Sequence, residues 1–370
     1  MKLLNIRLHD FRNYEDLNLT FYDGIHVFHG FNAQGKTNLL EAIYYLSLNR
    51  SHRSNNDKDL IREDQNAFFI YGEVLNKNKI KQLKVTVSEK GKNLFIYQNQ
   101  IHKVSDFIGN LNAILFSPDD MNLFHSSPKV RRKFIDIELS KLSKKYTYTL
   151  NQAYRLLKER NAYLKNEKID DLFLSVLTDQ LIDLQVIIMK QRYHFIQSLI
   201  KQSNGFYQTL SHDDSNMNII YHSCVNYSED VEILKNNLKN KYDASLQRDK
   251  FLKQTTVGIH KEDFSFLINQ KEVNQYASQG QKRSVLLSLK IAMIYLIYEL
   301  IHEYPILLLD DVFSELDQKR RYFLLNSLPK AVQIFITTTD IQEVLEIKKS
   351  RKITLFEVKK GNVVKEELYG

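Results

Sequence analysis

Residues 24–43, "GIHVFHGFNAQGKTNLLEAI", decide the fold. An apolar run typical of a strand precedes glycines, a lysine and a threonine at the spacing G-x-x-x-x-G-K-T, and a helical pattern follows. Such a loop surrounds phosphates with backbone amides at a helix N-terminus, and its lysine reaches the outer phosphates. The stretch therefore predicts a P-loop in which Thr37 binds Mg²⁺, with a chance glycine-rich turn as the alternative. The residues expected to contact nucleotide are Gly30, Asn32, Gly35, Lys36, Thr37 and Asn38.

Residues 305–317, "PILLLDDVFSELD", supply a second part of the predicted site. The apolar run at 306–309 lacks alternation, which predicts a central strand covered on both faces. It ends in Asp310 and Asp311, two adjacent carboxylates that repel each other unless a cation lies near. We expect Asp310 to hold the metal through water and Asp311 to orient or deprotonate an attacking water. Taken alone, the two residues also fit a pair of surface aspartates.

Residues 275–292, "QYASQGQKRSVLLSLKIA", place a small polar corner before a strongly apolar helical pattern. Ser278, Gly280 and Gln281 offer a hydroxyl, an unhindered backbone and the positive end of a helix dipole, which together suit a terminal phosphate. One P-loop already fills that role within the subunit. We therefore expect this corner to contact the nucleotide of a second copy, with Ser278 as a catalytic residue. An ordinary helix cap is the alternative.

The rest of the chain divides by hydrophobic period. Strand-like alternation fills the first 100 residues, helical spacing begins near residue 121, and strand signals return after about residue 250. No Pro or Gly occurs from Lys129 to Asn204, which predicts a long antiparallel helical pair that ends at Gly205. The predicted fold is an α/β domain, residues 1–120 and 251–370, with a helical arm, residues 121–250, inserted between its halves.

Positive charge is concentrated in the predicted arm. The net charge of the chain is +8, and residues 128–165 contain eleven lysines and arginines against three acids. Concentrated positive charge is typical of a surface that binds nucleic acid phosphates, whereas a solvated helix face is the alternative. The residues expected to contact DNA are Arg131, Arg132, Lys133, Lys144 and Lys145 in this window, and Arg53 outside it.

The amino-acid composition indicates the cellular compartment in which the protein is expected to act. The 370 residues are 43% hydrophobic, enough for one large core or two smaller ones, and include a single cysteine, Cys224. One cysteine excludes an internal disulfide framework and a cysteine-rich zinc site, and it indicates a reducing compartment. Neither the amino terminus nor the apolar run at 284–301 matches a signal peptide or a membrane span. We therefore expect a soluble, cytoplasmic protein.

Several motifs in combination resemble the ABC-type ATPase heads of the SMC-like family. They are the P-loop at 30–37, "SQGQ" at 278–281, "LLLDD" at 307–311 and "SELD" at 314–317. A closer likeness, to the bacterial recombination and gap-repair members, covers nearly the whole chain through segments such as "RLHDFRNYEDLNLTF" at 7–21, "SPKVRRKFID" at 127–136 and "GIHKED" at 258–263. The sequence between Thr37 and Ser278 leaves room for a short arm, not for the very long coiled coils of SMC proteins.

The resemblance implies an ATP- and Mg²⁺-dependent homodimer that binds duplex DNA or single-strand/double-strand junctions and hydrolyses ATP slowly. It also implies action with RecO and RecR in loading RecA at gaps, and a link to replication and the SOS response. On matching positions, Arg12 and Asn13 are expected near the nucleotide, and Asp317 in the loop that crosses the dimer interface. Arg53 is expected to touch phosphate or DNA, with a solvated arginine as the alternative.

Some positions depart from the family pattern. A Q-loop glutamine is not evident at residues 116–121, where Ser117, Asp119 or Asp120 is the expected substitute. Residues 337–340, "TTTD", stand where a switch histidine is usual, and the catalytic base is Asp311 rather than the longer glutamate. These departures argue against fast turnover. His260 is either a structural residue or a sensor of nucleotide or DNA.

Two other functional classes fit parts of the sequence. A P-loop small-molecule kinase would use the helical insert as a substrate lid, but it leaves the "SQGQ" corner unexplained. An interaction scaffold would bind nucleotide structurally and never hydrolyse it.

Overall fold

The computed structural model describes residues 1–211, 215–345 and 351–369. The chain divides into two compact units, which we call the head unit (residues 1–121 with 283–370) and the arm unit (residues 122–282). The sequence interpretation placed residues 251–282 in the head. They belong to the arm unit because the strand at Asp263–Ile268 pairs with the strand at Met217–His222.

The strands, in chain order, are β1 (Lys2–Phe11), β2 (Tyr14–Thr20), β3 (Ile25–His29), β4 (Ala67–Asn76), β5 (Lys79–Ser88), β6 (Gly91–Ile96), β7 (Asn99–Ile101), β8 (Ala113–Phe116), β9 (Met217–His222), β10 (Asp263–Ile268), β11 (Lys271–Glu272), β12 (Ile306–Asp310), β13 (Ile334–Thr338), β14 (Ile353–Lys359) and β15 (Asn362–Tyr369).

The α-helices are α1 (Lys36–Leu48), α2 (Val104–Phe107), α3 (Asn122–His125), α4 (Pro128–Leu142), α5 (Lys144–Tyr163), α6 (Asp171–Ser211), α7 (Val231–Leu252), α8 (Val273–Tyr276), α9 (Gln279–Ile301), α10 (Val312–Glu315), α11 (Gln318–Asn326) and α12 (Gln342–Leu345). Two short 3₁₀ turns cover Asp57–Leu60 and Pro118–Met121.

The head unit contains a mostly parallel sheet with strand order β15-β14-β3-β13-β12-β8. Strands β3, β12 and β13 are buried at every position, which explains why their sequences lack alternation. They run parallel, with Asp310 opposite Thr337 and Thr338 opposite His29. Their carboxyl ends therefore meet at one edge of the sheet, where ligands bind in open α/β sheets. The P-loop follows β3 at this edge.

A second, antiparallel sheet of the head unit has the order β2-β1-β4-β5-β6-β7. Its strands alternate more buried with more exposed residues, as β4 and β5 illustrate. Helix α1 contacts strands of both sheets, including β4 and β13, and its residues from Leu39 to Leu48 are all buried. The helix that follows the P-loop is therefore held from two sides.

The arm unit combines helices α3–α8 with a three-stranded sheet of order β11-β10-β9. The predicted end of the second long helix at Gly205 is wrong, because α6 continues to Ser211. An exposed glycine inside a helix costs only about 1 kcal/mol, and the buried neighbours Ser203 and Tyr207 hold the chain in place. The first predicted helix is interrupted at Ser143, whose hydroxyl accepts from the amide of Tyr146 and caps α5.

Two fully buried arginines link distant segments of the arm unit. Arg192 pairs with Asp136 at 2.8 Å and with Glu262 at 2.6 Å, and Arg160 pairs with Asp249 at 2.8 Å. Breaking one partner of such a pair leaves an uncompensated buried charge, which is strongly destabilising. Arg160 therefore serves the arm core and does not contribute to its basic surface.

Two helices, α6 and α9, have the length and apolar composition of a membrane span. Within the structure, half of the qualifying window of α6 and 72% of that of α9 are buried. Apolar helices of a folded core have this same composition.

Candidate functional site

The loop between β3 and α1 has the backbone of a phosphate cradle. Gly30 and Gly35 have φ angles of 141° and 118°, in a region that other residues rarely adopt. A Cβ atom at Gly30 would lie 2.4 Å from the carbonyl oxygen of Val358, so this position requires glycine. The hydroxyl of Tyr14 donates to the carbonyl of Gly35 over 3.0 Å. Because Gly35 is the N-cap, no cap side chain covers the first amides of α1.

Lys36 directs its ammonium group into this loop. Its Nζ donates to the carbonyl oxygens of Gly30 at 2.6 Å and Phe31 at 2.9 Å. Burial lowers the pKa of Lys36, and the carboxylates of Asp311 and Asp310 act in the opposite direction. A cation anchored on loop carbonyls is positioned to exchange these acceptors for phosphate oxygens.

Asp310 lies at the centre of a small cluster of side-chain oxygen atoms. Its Oδ1 accepts from the Thr37 hydroxyl at 2.9 Å and from the Thr337 hydroxyl at 2.8 Å. The side chain is almost fully buried at the end of β12. Hydroxyl and carboxylate oxygens are ligands that Mg²⁺ prefers, with water and phosphate oxygens completing its shell. The sequence did not assign a role to Thr337, which is one of the residues found where the family usually has a switch histidine.

Asp311 is held next to this cluster in a strained conformation. Its φ angle of 51° is left-handed, which aspartate tolerates better than most residues. Its amide donates to the Thr337 hydroxyl at 2.9 Å, and Ser314 donates to its carbonyl at 2.8 Å. These bonds fix the backbone while the carboxylate remains exposed to solvent. A carboxylate so held is suited to orient water.

Asn13 lies against the outer side of the P-loop. Its Nδ2 donates to the carbonyl of Gln34 at 3.0 Å, and its Oδ1 accepts from Asn38 at 2.8 Å. The turn between β14 and β15 contacts the same loop residue, because the amides of Lys360 and Gly361 donate to the side chain and carbonyl of Gln34. Gln34 is thus hydrogen-bonded to Asn13 on one side and to the β14–β15 turn on the other. The sequence did not indicate these contacts.

Arg12 and Arg53 face a carboxylate rather than the P-loop. Arg12 donates to both oxygens of Glu41, at 2.9 and 3.0 Å. Arg53 donates to Asn38 at 3.0 Å and lies 3.6 Å from Glu41. Asn32 is exposed in the loop. Arg12 is therefore linked to α1, the helix that follows the P-loop, by its pair with Glu41. Sequence reasoning missed Glu41 because it stands within the apolar run "NLLEAI".

The three proposed Q-loop substitutes lie together after β8, but Asp120 is already engaged. Its Oδ2 accepts from the amide of Ser117 at 2.8 Å, and its Oδ1 accepts from Lys290 at 2.9 Å. Asp119 is exposed. At the switch position, the Thr338 hydroxyl donates to the carbonyl of Asp340 and forms a local turn. Of the switch-position residues, Thr337 is the one that touches Asp310.

The polar corner of the arm unit forms a reciprocal cap. The Ser278 hydroxyl accepts from the amide of Gln281 at 3.2 Å, and the Gln281 side chain accepts from the amide of Ser278 at 2.9 Å. This is the ordinary cap weighed as the alternative interpretation. Ser278 and Gln281 nevertheless remain exposed, and Gly280 is half-buried. A cap and a surface for another molecule are therefore compatible here.

In the head unit, Asp317 is the N-cap of helix α11. It accepts from the amide of Arg320 at 2.9 Å and forms an ion pair with the same arginine. Burial opposes the charged carboxylate, but the hydrogen bonds and the Arg320 charge prevail and lower the pKa of Asp317. In the arm unit, His260 bonds to the carbonyl of Thr255 at 2.9 Å, and burial lowers its pKa, which fits a structural histidine.

The family follows from comparison with known proteins. A family model described as RecF/RecN/SMC N terminal domain matches residues 2–362. The DNA replication and repair protein RecF of Oenococcus oeni is 44% identical over 379 residues, covering 98% of this chain and 100% of that protein. That of Bacillus cytotoxicus is 40% identical over 369 residues, covering 98% of each. The chain belongs to the RecF family.

Solved structures agree with this assignment. The recombination mediator protein RecF with ATP, in the RecFOR pathway, superposes with a TM-score of 0.91 at 32% identity over 99% of each chain. An Smc head bound to the C-winged helix domain of ScpA gives 0.58 at 14% identity, over 99% of this chain and 98% of that one, and shows likeness of fold alone. The predicted SMC-like family, its gap-repair branch and the ATPase-head fold class are therefore confirmed.

The basic arm of this RecF-family chain is only partly a free surface. Arg131 pairs with both oxygens of Asp263, at 2.8 and 2.7 Å, and Arg132 donates to the carbonyl of Glu262. Both arginines thus join the first turn of α4 to the start of β10 and to the residue before it. Their side chains are engaged within the arm unit, whereas the sequence suggested that they face DNA. The exposed basic residues of the window are Lys129, Lys133, Lys144, Lys145, Arg155, Lys158 and Lys165.

Proposed function

We propose that this chain is an ATP-dependent DNA-binding protein that acts in DNA replication, recombination and repair. The observation that carries the proposal is the meeting of Thr37 and Thr337 on Asp310 beside a glycine loop that holds the Lys36 ammonium. The names of the RecF relatives support the process, and the ATP-bound RecF structures support the nucleotide. Neither the kinase nor the non-hydrolysing scaffold receives support from these relatives.

The residues present fit ATP with Mg²⁺. The Gly30 position has no room for a side chain, and the left-handed backbone at Gly35 delivers the amides of α1 to the loop. In this proposal Lys36 binds the outer phosphates, and Thr37 and Asp310 hold Mg²⁺, Asp310 through water. When bound, Mg²⁺ neutralises charge that develops on the phosphates during transfer.

Asp311 is the proposed base. Its carboxylate would orient a water molecule and accept a proton from it, while the bonds to Thr337 and Ser314 keep the backbone still. Aspartate reaches one methylene less far than glutamate. We therefore infer weak ATP hydrolysis that serves as a conformational switch.

A second copy of the chain is the proposed partner at the nucleotide. Ser278, Gly280 and Gln281 offer a hydroxyl and a helix N-terminus from an exposed corner, and these groups recognise anions. ATP would then join two copies into a homodimer. Ser278 keeps its hydroxyl proton free to donate while it accepts from Gln281.

DNA phosphates are the proposed ligand of the arm. The exposed lysines of α4 and α5 supply the charge, and their contribution depends on salt. Action with RecO and RecR belongs to this proposal through the RecFOR pathway named for the solved relatives. RecA loading, the SOS response and a cytoplasmic location enter it from the sequence analysis.

ATP hydrolysis measured with and without duplex DNA tests the proposal. Stimulation by duplex supports an ATP-switched DNA-binding protein. Hydrolysis that depends on a small metabolite would support the kinase, and nucleotide binding without hydrolysis would support the scaffold. The Lys36→Arg variant is expected to retain some ATP binding but to hydrolyse it more slowly, so that dimers on DNA persist. Undiminished turnover in this variant would overturn the assignment of Lys36.

A further inference from the structure

Glu41 is a fully buried carboxylate in the helix that follows the P-loop. It lies on α1 with no exposed surface. Arg12 makes a two-pronged ion pair with it, through Nε at 2.9 Å and Nη2 at 3.0 Å. The Ser51 hydroxyl also donates to Glu41. A charge buried this deeply is tolerated only when paired and hydrogen-bonded, so Glu41 organises the groups around it.

The segment after α1 is tied to the same carboxylate. Arg53 lies 3.6 Å from Glu41, and the Ser51 oxygen accepts from the amides of Arg53 and Ser54 at 2.9 Å each. The turn is thus folded around one serine whose hydroxyl proton points at Glu41. Two guanidinium groups from separate segments share one carboxylate, which leaves one net positive charge in the cluster.

These contacts close into a ring on one face of the first turns of α1. From Glu41 the ring passes to Arg53, whose Nη1 donates to Asn38 at 3.0 Å, and Asn38 donates to Asn13 at 2.8 Å. Asn13 is joined through the backbone to Arg12, which returns to Glu41. Arg12 has a left-handed φ of 55°, a conformation that needs support from its surroundings.

The ring touches the P-loop through Asn13, whose side-chain amide also lies against Gly35. Asn13 donates to the carbonyl of Gln34, the loop residue before Gly35, at 3.0 Å. Asn13 is exposed, so this contact depends on what holds its backbone and its side chain. Glu41 contributes to both supports. It contributes to the backbone support through Arg12, which also bonds to the carbonyls of Asp59 and Leu60, and to the side-chain support through Arg53 and Asn38.

We infer that Glu41 is a positioning residue for the nucleotide site, fixing Arg12 and Arg53 so that Asn13 holds the outer side of the P-loop in its phosphate-binding shape. The inference rests on the proposed function of the P-loop. It assigns Arg12 a role through the two-pronged pair that its guanidinium group forms with Glu41. Lysine cannot reproduce the two-pronged pair, although it keeps the charge.

Nucleotide affinity of the full-length protein, measured with a fluorescent ATP analogue and Mg²⁺, tests the inference. Arg12→Lys and Arg12→Gln are both expected to weaken binding about tenfold, by analogy with the loss of a group that orients a metal ligand. A lysine variant that binds nucleotide as well as the wild type does would overturn the inference, since lysine keeps the charge but cannot form the two-pronged pair with Glu41.

A double-mutant cycle sharpens the test. Because Arg12 acts through Glu41, Arg12→Gln added to Glu41→Gln is expected to weaken binding little further. Independent, multiplicative losses would contradict the inference. If Glu41→Gln fails to fold, Asn38→Ala cuts the ring at a less buried link and is expected to weaken ATP binding severalfold with an unchanged thermal unfolding midpoint. Wild-type affinity in Asn38→Ala would likewise overturn the inference.

Lys36→Ala separates this inference from the proposed function. It is expected to abolish detectable binding of the analogue whatever Glu41 does. If Lys36→Ala binds normally, the P-loop assignment fails. If Lys36→Ala is defective while the Arg12 and Asn38 variants match the wild type, the P-loop stands and the role of Glu41 fails.

Discussion

Thr37 and Asp310 are 273 residues apart in sequence, and their side chains are joined by a 2.9 Å hydrogen bond. The bond spans the carboxyl edge of the parallel sheet, from the start of α1 to the end of β12. Thr337 donates to the same carboxylate oxygen from the end of β13. Three adjacent elements thus direct oxygen atoms at one point beside the P-loop.

Asp310→Asn is expected to lower Mg²⁺-dependent ATP hydrolysis about 100-fold, or about 3 kcal/mol, because the amide removes the negative charge that attracts the metal. The amide oxygen can still accept from Thr37 and Thr337, so the thermal unfolding midpoint should change little. Phosphate release across a Mg²⁺ titration measures the effect. Thr37→Ser, which retains the hydroxyl, is the matched control and should stay near the wild-type rate. An Asp310→Asn enzyme with wild-type rate and Mg²⁺ dependence would contradict the metal assignment.

Ser278 offers a test that separates its two roles. Ser278→Asp preserves the helix cap, since aspartate is among the best N-cap residues, but it places a negative charge where a phosphate should bind. The variant is therefore expected to fold normally and to stay monomeric with ATP. Sedimentation with ATP, with ADP and without nucleotide measures this, and Ser278→Thr should still dimerise. If Ser278→Asp dimerises with ATP as the wild type does, the corner faces no phosphate.

The head motifs were predictable because each is local. Gly30, Lys36 and Thr37 lie within one loop, and Asp310 follows an uninterrupted apolar strand, so spacing alone indicated their chemistry. The parallel register that joins Thr337 to Asp310 is not local, and neither is the pairing of Arg131 with Asp263, 132 residues away. A basic residue in a charged window looks free until its partner's position is known.

Glu41 and Gly205 show two other limits. An acidic residue in an apolar helix normally marks a solvent-facing position, and only the fold reveals that Arg12 and Ser51 enclose Glu41. Gly205 was expected to end a helix on propensity. Propensity contributes about 1 kcal/mol per glycine, which burial of neighbouring side chains outweighs. Tertiary contacts decided both cases.

Lys144 and Lys145 are exposed and provide a test of the DNA surface. Reversing Arg131 would also break its pair with Asp263 and disturb the arm fold. Replacing both lysines with glutamine is expected to weaken duplex binding and to lower the salt slope by about 0.9 for each phosphate that is no longer neutralised. Fluorescence anisotropy over a salt series measures the slope. Lys90→Gln, at an exposed position of the head unit, is the control, and a slope equal to that of the wild type in the double variant would place the DNA elsewhere.

His26 makes the head unit sensitive to acid. It is fully buried on β3, its ring stacks on Phe335 at 5.0 Å, and its Nε2 bonds to the carbonyl of Tyr22. Burial lowers the pKa of His26 from 6.5 to about 4, with smaller opposing effects from the Tyr22 carbonyl and Asp23 and a further lowering by Lys365. The folded state therefore prefers the neutral ring, and its contribution to stability is complete above pH 6.5.

That contribution is lost as the pH falls from about 6.5 to about 4, because the unfolded chain binds a proton that the folded chain resists. The difference corresponds to about 3 kcal/mol at 1.36 kcal/mol per pKa unit. His26→Phe should remove this part of the acid dependence, at a cost near neutral pH of about 1 kcal/mol for the lost hydrogen bond. Urea unfolding at several pH values from 4 to 7 measures it, with the exposed His102→Asn as control. If His26→Phe and the wild type lose the same free energy of unfolding over that range, the buried ring is not what the acid titrates.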